Sequence, residues 1–492
     1  MKTAQKIAVI DIGSNSCRMV IYEQAGSALI PYFNEKTMAG LGRGLSETGR
    51  LSATGVDLAL KTFHRFRAIT ASLDIRDVRA VATAAVREAS DGDTFRKQSE
   101  SILGVPIKVL SGAEEGRLSA LGVAIGFRSP KGLIADLGGT SMELRPVNGE
   151  AKGESFLLGP LARSSDSKLS FDKRRKSMRK ILEQGRLTQN VSRDNLYAIG
   201  GAWRNVAAVH MMLRDYPLRV PHGYEMSRKD VENVIDVAEL SLSDKMTREQ
   251  LTSVSKRRLD TLPHAALLLS TLMEQLDAQR VTISAFGLRD GVAAEGLSIS
   301  GKSGLIDAAP LFLRSSEQSR LFGKELYSFI HPISSQFKQS ETLLRAICLM
   351  ADAGAGMHAD HRAQLVHEQV LRAPLPALSH TERLFAASAA AARYTFKFTE
   401  DPKYARMLSV SAKRRAKIMG TAMRLGSVYS GRSGPILATA GLKADDGQLK
   451  LCVDPDYQDL VSETVQRRLS QLAGLMKLRP KLIVSEPRVR TA

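Results

Sequence analysis

Apolar residues in this chain gather into short runs of strand length, two of which end in the same way, on an aspartate followed by a glycine turn. Lys6-Ile-Ala-Val-Ile leads into Asp11-Ile-Gly13-Ser14-Asn15-Ser16, and Gly132-Leu-Ile-Ala leads into Asp136-Leu-Gly138-Gly139-Thr140-Ser141. After each turn the apolar pattern resumes, as Cys17-Arg-Met-Val-Ile-Tyr22 and as Met142-Glu143-Leu-Arg145. The pattern predicts a strand, tight turn, strand unit used twice. Between the copies the period lengthens to that of a helix from Leu51 to Arg67, behind Ser52 or Thr54 as cap. Asp77 to Thr83 then reads as a strand, Ala84 opens a helix, Pro106 to Leu110 is a further strand, and Ser111 leads into a helix through Gly126. Strands alternating with helices predict an α/β domain, with a second copy from about Lys131 to Ser300. In that copy Leu196-Tyr-Ala-Ile-Gly200-Gly201-Ala-Trp203 and Val281-Thr-Ile-Ser-Ala-Phe-Gly287-Leu-Arg-Asp-Gly291 each set glycines just after a strand. Packing and phosphate contact both account for such turns.

The period is lost from Ile299 to Ser316, where small polar residues predict a linker. Helix then follows helix to about Gly431. The remainder, with strand-like Gln448-Leu-Lys-Leu-Cys-Val and Lys481-Leu-Ile-Val-Ser485 around a helix near Leu460 to Leu475, predicts a small α/β cap. The expected domains are therefore 1-128, 129-303, 304-432 and 433-492.

Turn chemistry alone explains one Asp-x-Gly hairpin. A duplicated one implies two similar domains with a cleft between them, and it changes what the turns can do. Glycine lets a backbone approach a ligand closely, and Ser, Asn and Thr side chains with turn N–H groups can surround phosphate oxygens. The aspartate at each strand end can hold a divalent cation, usually through water. Glu114 and Glu115 divide by position. Ser111 followed by Glu114 is a capping box, which gives Glu114 a structural task. Glu115 projects about 100° away around the helix, has no such task, and is the candidate general base for activating a water. Arg87, at a strand-to-helix junction, is open to two readings: a bidentate phosphate clamp or a surface ion pair.

Composition narrows the partners. The 492 residues are 43% hydrophobic and 25% charged, with no run of about 18 apolar residues and no signal-like start, so a cytoplasmic protein without a membrane span is expected. Cys17, Cys348 and Cys452 are far apart, show no metal spacing, and are assigned to packing. The net charge of +19 points to an anionic polymer or surface. Candidate clusters are Asp172-Lys-Arg-Arg-Lys176 with Arg179 and Lys180, Lys256-Arg-Arg258 and Lys413-Arg-Arg-Ala-Lys417, although solvated faces would look the same. Aromatic residues are only 5% and do not interleave with these clusters, which argues against nucleic acid and leaves room for a polymer of phosphate.

Four motifs in order, Asp11-Ile-Gly-Ser-Asn-Ser16, Ala-Val-Arg87-Glu-Ala, Leu110-Ser-Gly-x-Glu-Glu115-Gly-Arg117 and Ile134-Ala-Asp136-Leu-Gly-Gly-x-Ser-x-Glu143, resemble the exopolyphosphatase and guanosine pentaphosphate phosphatase family, Ppx/GppA. The resemblance spans roughly residues 6 to 300. It implies two actin-like (ribonuclease H-like) domains of the ATPase superfamily, followed by a mainly helical HD-like domain and the small cap. It implies Glu115 as catalytic base, Asp136 and Glu143 as magnesium-binding acids, and Gly138, Gly139 and Ser141 as the phosphate-binding turn. Asp11, Ser14, Asn15 and Arg87 would complete the metal and phosphate site across the cleft. The implied reaction is processive release of terminal phosphate from inorganic polyphosphate with Mg2+. Guanosine pentaphosphate is the alternative substrate, and a non-catalytic polyphosphate-binding protein is the alternative of another class; a sugar or acetate kinase fits the Glu-Glu-x-Arg motif less well. Two departures stand out. Thr140 and Met142 stand where the family commonly has a third glycine and a threonine, and Met142 is expected to remove a hydroxyl from the phosphate site. The HD-like pair reads Ala351-Asp352, and His358, His361 and His367 follow without a complete ligand set, so the helical domain is expected to serve as a binding surface or homodimer contact.

Overall fold

The computed structural model describes residues 5–148, 152–163, 169–189, 195–255, 259–298, 301–404 and 406–484. The Lys256-Arg-Arg258 cluster lies outside them, as does Ser485 of the last expected strand. The chain forms two compact units, Met1–Gly301 and Lys302–Ala492.

The first unit carries two sheets built on one plan. In the first, β1 (Gln5–Ile12), β2 (Cys17–Ala25) and β3 (Ala28–Thr37) form an antiparallel meander, and β4 (Asp77–Ala82) and β5 (Ile107–Val109) extend it in parallel on the other side of β1, giving the order β3-β2-β1-β4-β5. In the second, β6 (Leu133–Leu137), β7 (Met142–Pro146) and β8 (Glu154–Phe156) form the meander. β9 (Leu196–Ile199) and β11 (Arg280–Ile283) run parallel to β6, and β10 (Glu225–Ser227) closes the edge. The repeated topology is that of two actin-like domains, and it sets both Asp-Gly turns at equivalent strand ends.

The helices of this unit are α1 (Leu45–Thr48), α2 (Ala53–Ser72), α3 (Ala84–Glu88), α4 (Gly92–Leu103), α5 (Gly112–Gly126), α6 (Phe171–Leu182), α7 (Gly201–Leu213), α8 (Arg228–Leu240), α9 (Lys245–Ser255), α10 (Leu262–Gln275) and α11 (Leu288–Ala294). Of the two proposed caps for α2, Ser52 is the one used. Helix α5 is the element that positions the site, because it is apolar on two faces. Leu118 and Ile125 pack with Ile7 and Val9 of the first sheet and with Val292 and Ala293 of α11. Ala120 and Val123 pack on Ile134, Tyr197 and Ile199 of the second. Contact between α5 and α11 is backbone to backbone: a Cβ on Gly291 would lie 1.8 Å from the Leu118 carbonyl oxygen, and one on Gly122 would lie 2.2 Å from the Gly287 carbonyl oxygen. Only hydrogen fits at these two crossings. They fix the middle of α5 against the first turn of α11.

The second unit is helical up to a three-stranded cap. Its helices are α12 (Gly301–Phe312), α13 (Glu317–Ile330), α14 (Glu341–Leu349), α15 (Arg362–Arg372), α16 (His380–Tyr394), α17 (Val410–Ser430) and the short α18 (Gly434–Leu437). Strands β12 (Ala440–Asp445), β13 (Gln448–Val453) and β14 (Arg479–Val484) form the cap sheet, with α19 (Glu463–Met476) preceding β14. The expected linker is corrected here. Residues 301–312 are a helix, because Leu305, Ala308 and Ala309, spaced by three and four, are buried, and this face outweighs the poor helix formers Gly301 and Gly304. No helix of the described residues is long and apolar enough to cross a membrane. The cysteines are free; Cys17 and Cys348 are buried and Cys452 is half-buried.

The arginines Arg174, Arg175, Arg179 and Arg414 of the basic clusters are engaged internally, whereas Lys173, Lys176 and Lys180 are exposed. On α6, Arg175 makes a bidentate pair with Glu232 at 3.0 and 2.9 Å, Arg179 pairs with Glu274 at 2.8 Å, and Arg174 is buried and donates to the Leu169 carbonyl. On α17, Arg414 donates to the Leu475 carbonyl and Lys417 lies over the Phe396 ring.

Candidate active site

Both Asp-Gly turns close with the same backbone bond. Gly13 N–H donates to the Ser16 carbonyl at 3.1 Å, and Gly138 N–H donates to the Ser141 carbonyl at 2.9 Å. The turns face one another. Ser14 Oγ is 3.4 Å from Thr140 Oγ1, and a Cβ on Gly139 would lie 3.1 Å from Ser14 Cβ and 3.2 Å from Leu161. At this approach one turn can carry a side chain and the other cannot: Ser14 has it, and Gly139, its equivalent in the second copy, leaves the space. A loop supports the second turn from behind, with Gly159 N–H on the Thr140 carbonyl at 2.9 Å and Leu161 N–H on the Gly139 carbonyl at 2.8 Å.

A cavity of about 200 Å3 lies between the turns. Asp11, Ser14, Asn15, Glu115, Asp136, Gly138, Gly139 and Ser141 all contribute to its wall, so eight of the ten residues singled out from sequence come together. Glu143 and Arg87 do not line it. Glu143 is buried behind Ser141, accepting from Ser141 Oγ at 2.6 Å and from Ser155 Oγ at 3.1 Å. Arg87 donates to the Leu110 carbonyl at 2.6 Å and to Glu88 at 3.2 Å, and its charge also reaches Glu115 and Glu143.

The first turn of α5 separates the two glutamates physically. Ser111 and Glu114 form the reciprocal capping box, Lys108 pairs with Glu114 at 2.9 Å, and these partners, Lys108 foremost, pull the Glu114 carboxyl down to about 2. Glu115 is 7% exposed, and its Oε2 has no hydrogen-bond partner. Burial above all, and then the charges of Glu143, Asp136 and Asp11, push its carboxyl well above the ordinary range, while Arg87 acts in the opposite direction. Burial and Asp136 likewise push Glu143 up to about 7 against the hydroxyls that hold it, and Glu143 Oε2 is also without a partner. Asp136 is raised by burial; Ser119 Oγ donates to it and opposes the shift.

Four crowded, desolvated carboxylates with two unsatisfied oxygens suit a hard divalent cation. The Asp11 carboxylate accepts from Arg289 Nη1 at 2.7 Å, so it already has a cation beside it. Among the described residues no three His, Cys, Asp or Glu side chains converge as a ligand set. Asp136, with Glu115 and Glu143 near it, would therefore hold Mg2+ mainly through water and substrate oxygens, which is the ion's usual habit.

Sequence reasoning missed the cations. Arg18, Lys36, Arg204 and Arg289 line the cavity. The signal for two of them was present as a recurrence, a glycine turn followed closely by an arginine, in Gly200-Gly201-Ala-Trp-Arg204 and Gly287-Leu-Arg289. Arg18 and Lys36 come from neighbouring strands, where they are register partners, and sequence spacing does not reveal that. Met142 is corrected as well. Its side chain is fully buried in the core of the second sheet and does not line the cavity, so the wall has lost no hydroxyl there.

Comparison with known proteins gives a consistent match. Residues 19–298 match the model of the Ppx/GppA phosphatase family, and residues 328–483 match the model described as exopolyphosphatase, C-terminal. The fold is similar to that of the Aquifex aeolicus Ppx/GppA family member, at 23% identity and a TM-score of 0.52 over 59% of this chain and 97% of that one. It is also similar to an exopolyphosphatase from Cytophaga hutchinsonii, at 22% identity and a TM-score of 0.53 over 60% of this chain and 100% of that one.

Proposed function

We propose, for a chain that belongs to the Ppx/GppA phosphatase family, the activity of an exopolyphosphatase: hydrolysis of the terminal phosphate of inorganic polyphosphate, with Mg2+ and with Glu115 as general base. The observation that carries the reading is the buried Glu115 carboxylate, with one oxygen unpartnered, in the wall of a cavity between two glycine turns. Ser14 and Asn15 from one turn and Gly139 and Ser141 from the other would hold the terminal phosphate. Their close approach orients it for in-line attack. Glu115 would take the proton of the attacking water. Arg18, Arg204 and Arg289, with Lys36, would hold the phosphates next along the chain and balance charge on the departing group. Bound Mg2+ supplies the positive charge that lets the crowded acids ionise together.

The test is phosphate release from long-chain polyphosphate and, separately, from guanosine pentaphosphate, with and without Mg2+, for wild type and Glu115→Gln. The expected result is Mg2+-dependent release favouring polyphosphate and a fall of about 10²–10⁴-fold in the variant. Preference for the nucleotide overturns the substrate assignment. Tight polyphosphate binding without turnover of either compound overturns the enzymatic reading.

A further inference from the structure

The second unit holds a cavity of about 440 Å3 whose charge is of one sign. Arg362 from the start of α15, Arg393 from the end of α16, Arg424 from α17 and Arg432 just beyond it all line it, with Tyr394 and Ser427 completing the polar wall. One carboxylate faces these four guanidinium groups. Asp352 pairs with Arg393 at 2.8 Å and with Arg432 at 3.9 Å. Arg362 spends its donors on the Met357 carbonyl. Arg393 is only 6% exposed, and its Nε has no hydrogen-bond partner. Among the described residues Arg424 has neither an ion pair nor a hydrogen bond; its charged neighbours Arg468, Arg393 and Arg467 are all cations.

Like charges gathered in a partly enclosed space repel one another, and a buried unpaired donor carries its full desolvation cost. Asp352 offsets part of the repulsion at Arg393 and, less closely, at Arg432, and leaves Arg424 with only cations as charged neighbours. A bound anion would offset both, and guanidinium forks match the spacing of phosphate oxygens. The Tyr394 ring already has the Arg393 and Arg362 guanidinium carbons 4.5 and 5.5 Å from its centroid, and its hydroxyl is engaged by Ala351 and Gly354. It is therefore not presented for stacking on a base. We propose that this pocket is a binding site for a compact, multiply phosphorylated small molecule, additional to the cavity between the glycine turns. A short inorganic phosphate chain and the phosphates of a nucleotide share that chemistry, and the engaged tyrosine favours the first.

The experiment uses the full chain carrying Glu115→Gln, so that neither probe is turned over. Hydrogen–deuterium exchange is followed in peptides from 384–394 and 417–432 with tripolyphosphate, guanosine pentaphosphate or orthophosphate, alongside calorimetric titration. The expected result is protection of both segments by tripolyphosphate more strongly than by the other two. Arg424→Gln and Arg432→Gln should each weaken it by about tenfold and abolish the protection, with unchanged melting. Both residues are accessible enough for these changes to leave the fold intact. Stronger protection by the nucleotide keeps the site and assigns it the other source. Absence of protection by any probe, or protection and affinity unaltered by both substitutions, overturns the proposal. The readout lies wholly within the second unit, so failure of the hydrolytic assignment leaves it standing.

Discussion

The two Asp-Gly turns have nearly the same sequence and closing backbone bond but pair their acids differently. Asp11 ends the first strand unit in a direct ion pair with Arg289, whereas Asp136 ends the second on a hydroxyl, Ser119, close to two glutamates and within reach of the charges of Arg289 and Arg204 but paired with neither. One turn thus carries an acid with a direct ionic partner in the protein, and the other an acid held by a hydroxyl alone. The asymmetry originates in α11: its first turn delivers Arg289 to Asp11, and the Gly122 and Gly291 crossings with α5 leave it no freedom to go elsewhere.

The strongest way to break this comparison is to remove each aspartate charge in turn. Asp11→Asn leaves the half-buried Arg289 without its direct counter-charge and should cost about 1–2 kcal/mol of stability, seen as a lowered melting temperature. Adding Arg289→Met should recover most of it. Asp136→Asn leaves Arg289 its direct partner Asp11, so melting should hold while the apparent Mg2+ affinity in the phosphate-release assay falls by about 100-fold. Equal losses of stability from the two single variants would show that the turns are electrostatically alike.

Proton linkage sharpens the same contrast. The Glu143 carboxyl, beside the uncompensated turn, is pushed from 4.5 to about 7, chiefly by burial. Folding therefore takes up a proton in that range. This stabilisation is complete below about pH 4.5 and is lost as pH rises through 7, by up to about 3 kcal/mol. Without Mg2+ the melting temperature should fall from pH 5 to pH 8. Adding Mg2+ at pH 8 should restore it, and Glu143→Gln should make the profile shallower, with the remainder carried by Glu115. A flat wild-type profile without metal contradicts the charge imbalance.

Sterics at the facing turns come next. A Cβ on Gly139 meets Ser14 and Leu161 at 3.1 and 3.2 Å, whereas one on Gly13 meets nothing nearer than the Ser16 carbonyl at 3.4 Å. Gly139→Ala should raise KM for polyphosphate by about tenfold through displacement of the turn, and Gly13→Ala should leave it within about twofold. Equal effects would mean that the two turns do not meet as closely as Ser14 and Thr140 indicate.

The sequence revealed the duplicated turns because they are local: an apolar run, an acid and a glycine carry their geometry with them. The separation of Glu114 from Glu115 was legible for the same reason, since a capping box spans three residues. What remained hidden depends on which elements pack together. Arg289 reaches Asp11 from 278 residues away, and the four pocket arginines lie on separate segments of the second unit. The contiguous basic runs drew attention instead, yet on α6 they serve internal ion pairs. The linker misread had a different cause. Gly301 and Gly304 lowered the local propensity, and the buried face of Leu305, Ala308 and Ala309 was too short to register as a period.

Met142 offers the finest discrimination between the copies. Its counterpart after the first turn is Cys17, and both side chains are fully buried, the first in the core of the second sheet and the other in that of the first. A residue one step beyond each turn thus points away from the cavity, because side chains alternate across a strand and Ser141 already takes the inward position. Met142→Thr restores the hydroxyl that the family pattern commonly carries, but into apolar surroundings. It should lower stability by about 2 kcal/mol in denaturant unfolding, from lost packing and a buried hydroxyl, while KM and kcat for polyphosphate stay unchanged. A gain in activity would mean that the start of β7 rotates during turnover, so that the second turn, unlike the first, presents a different face to substrate than the one it shows here.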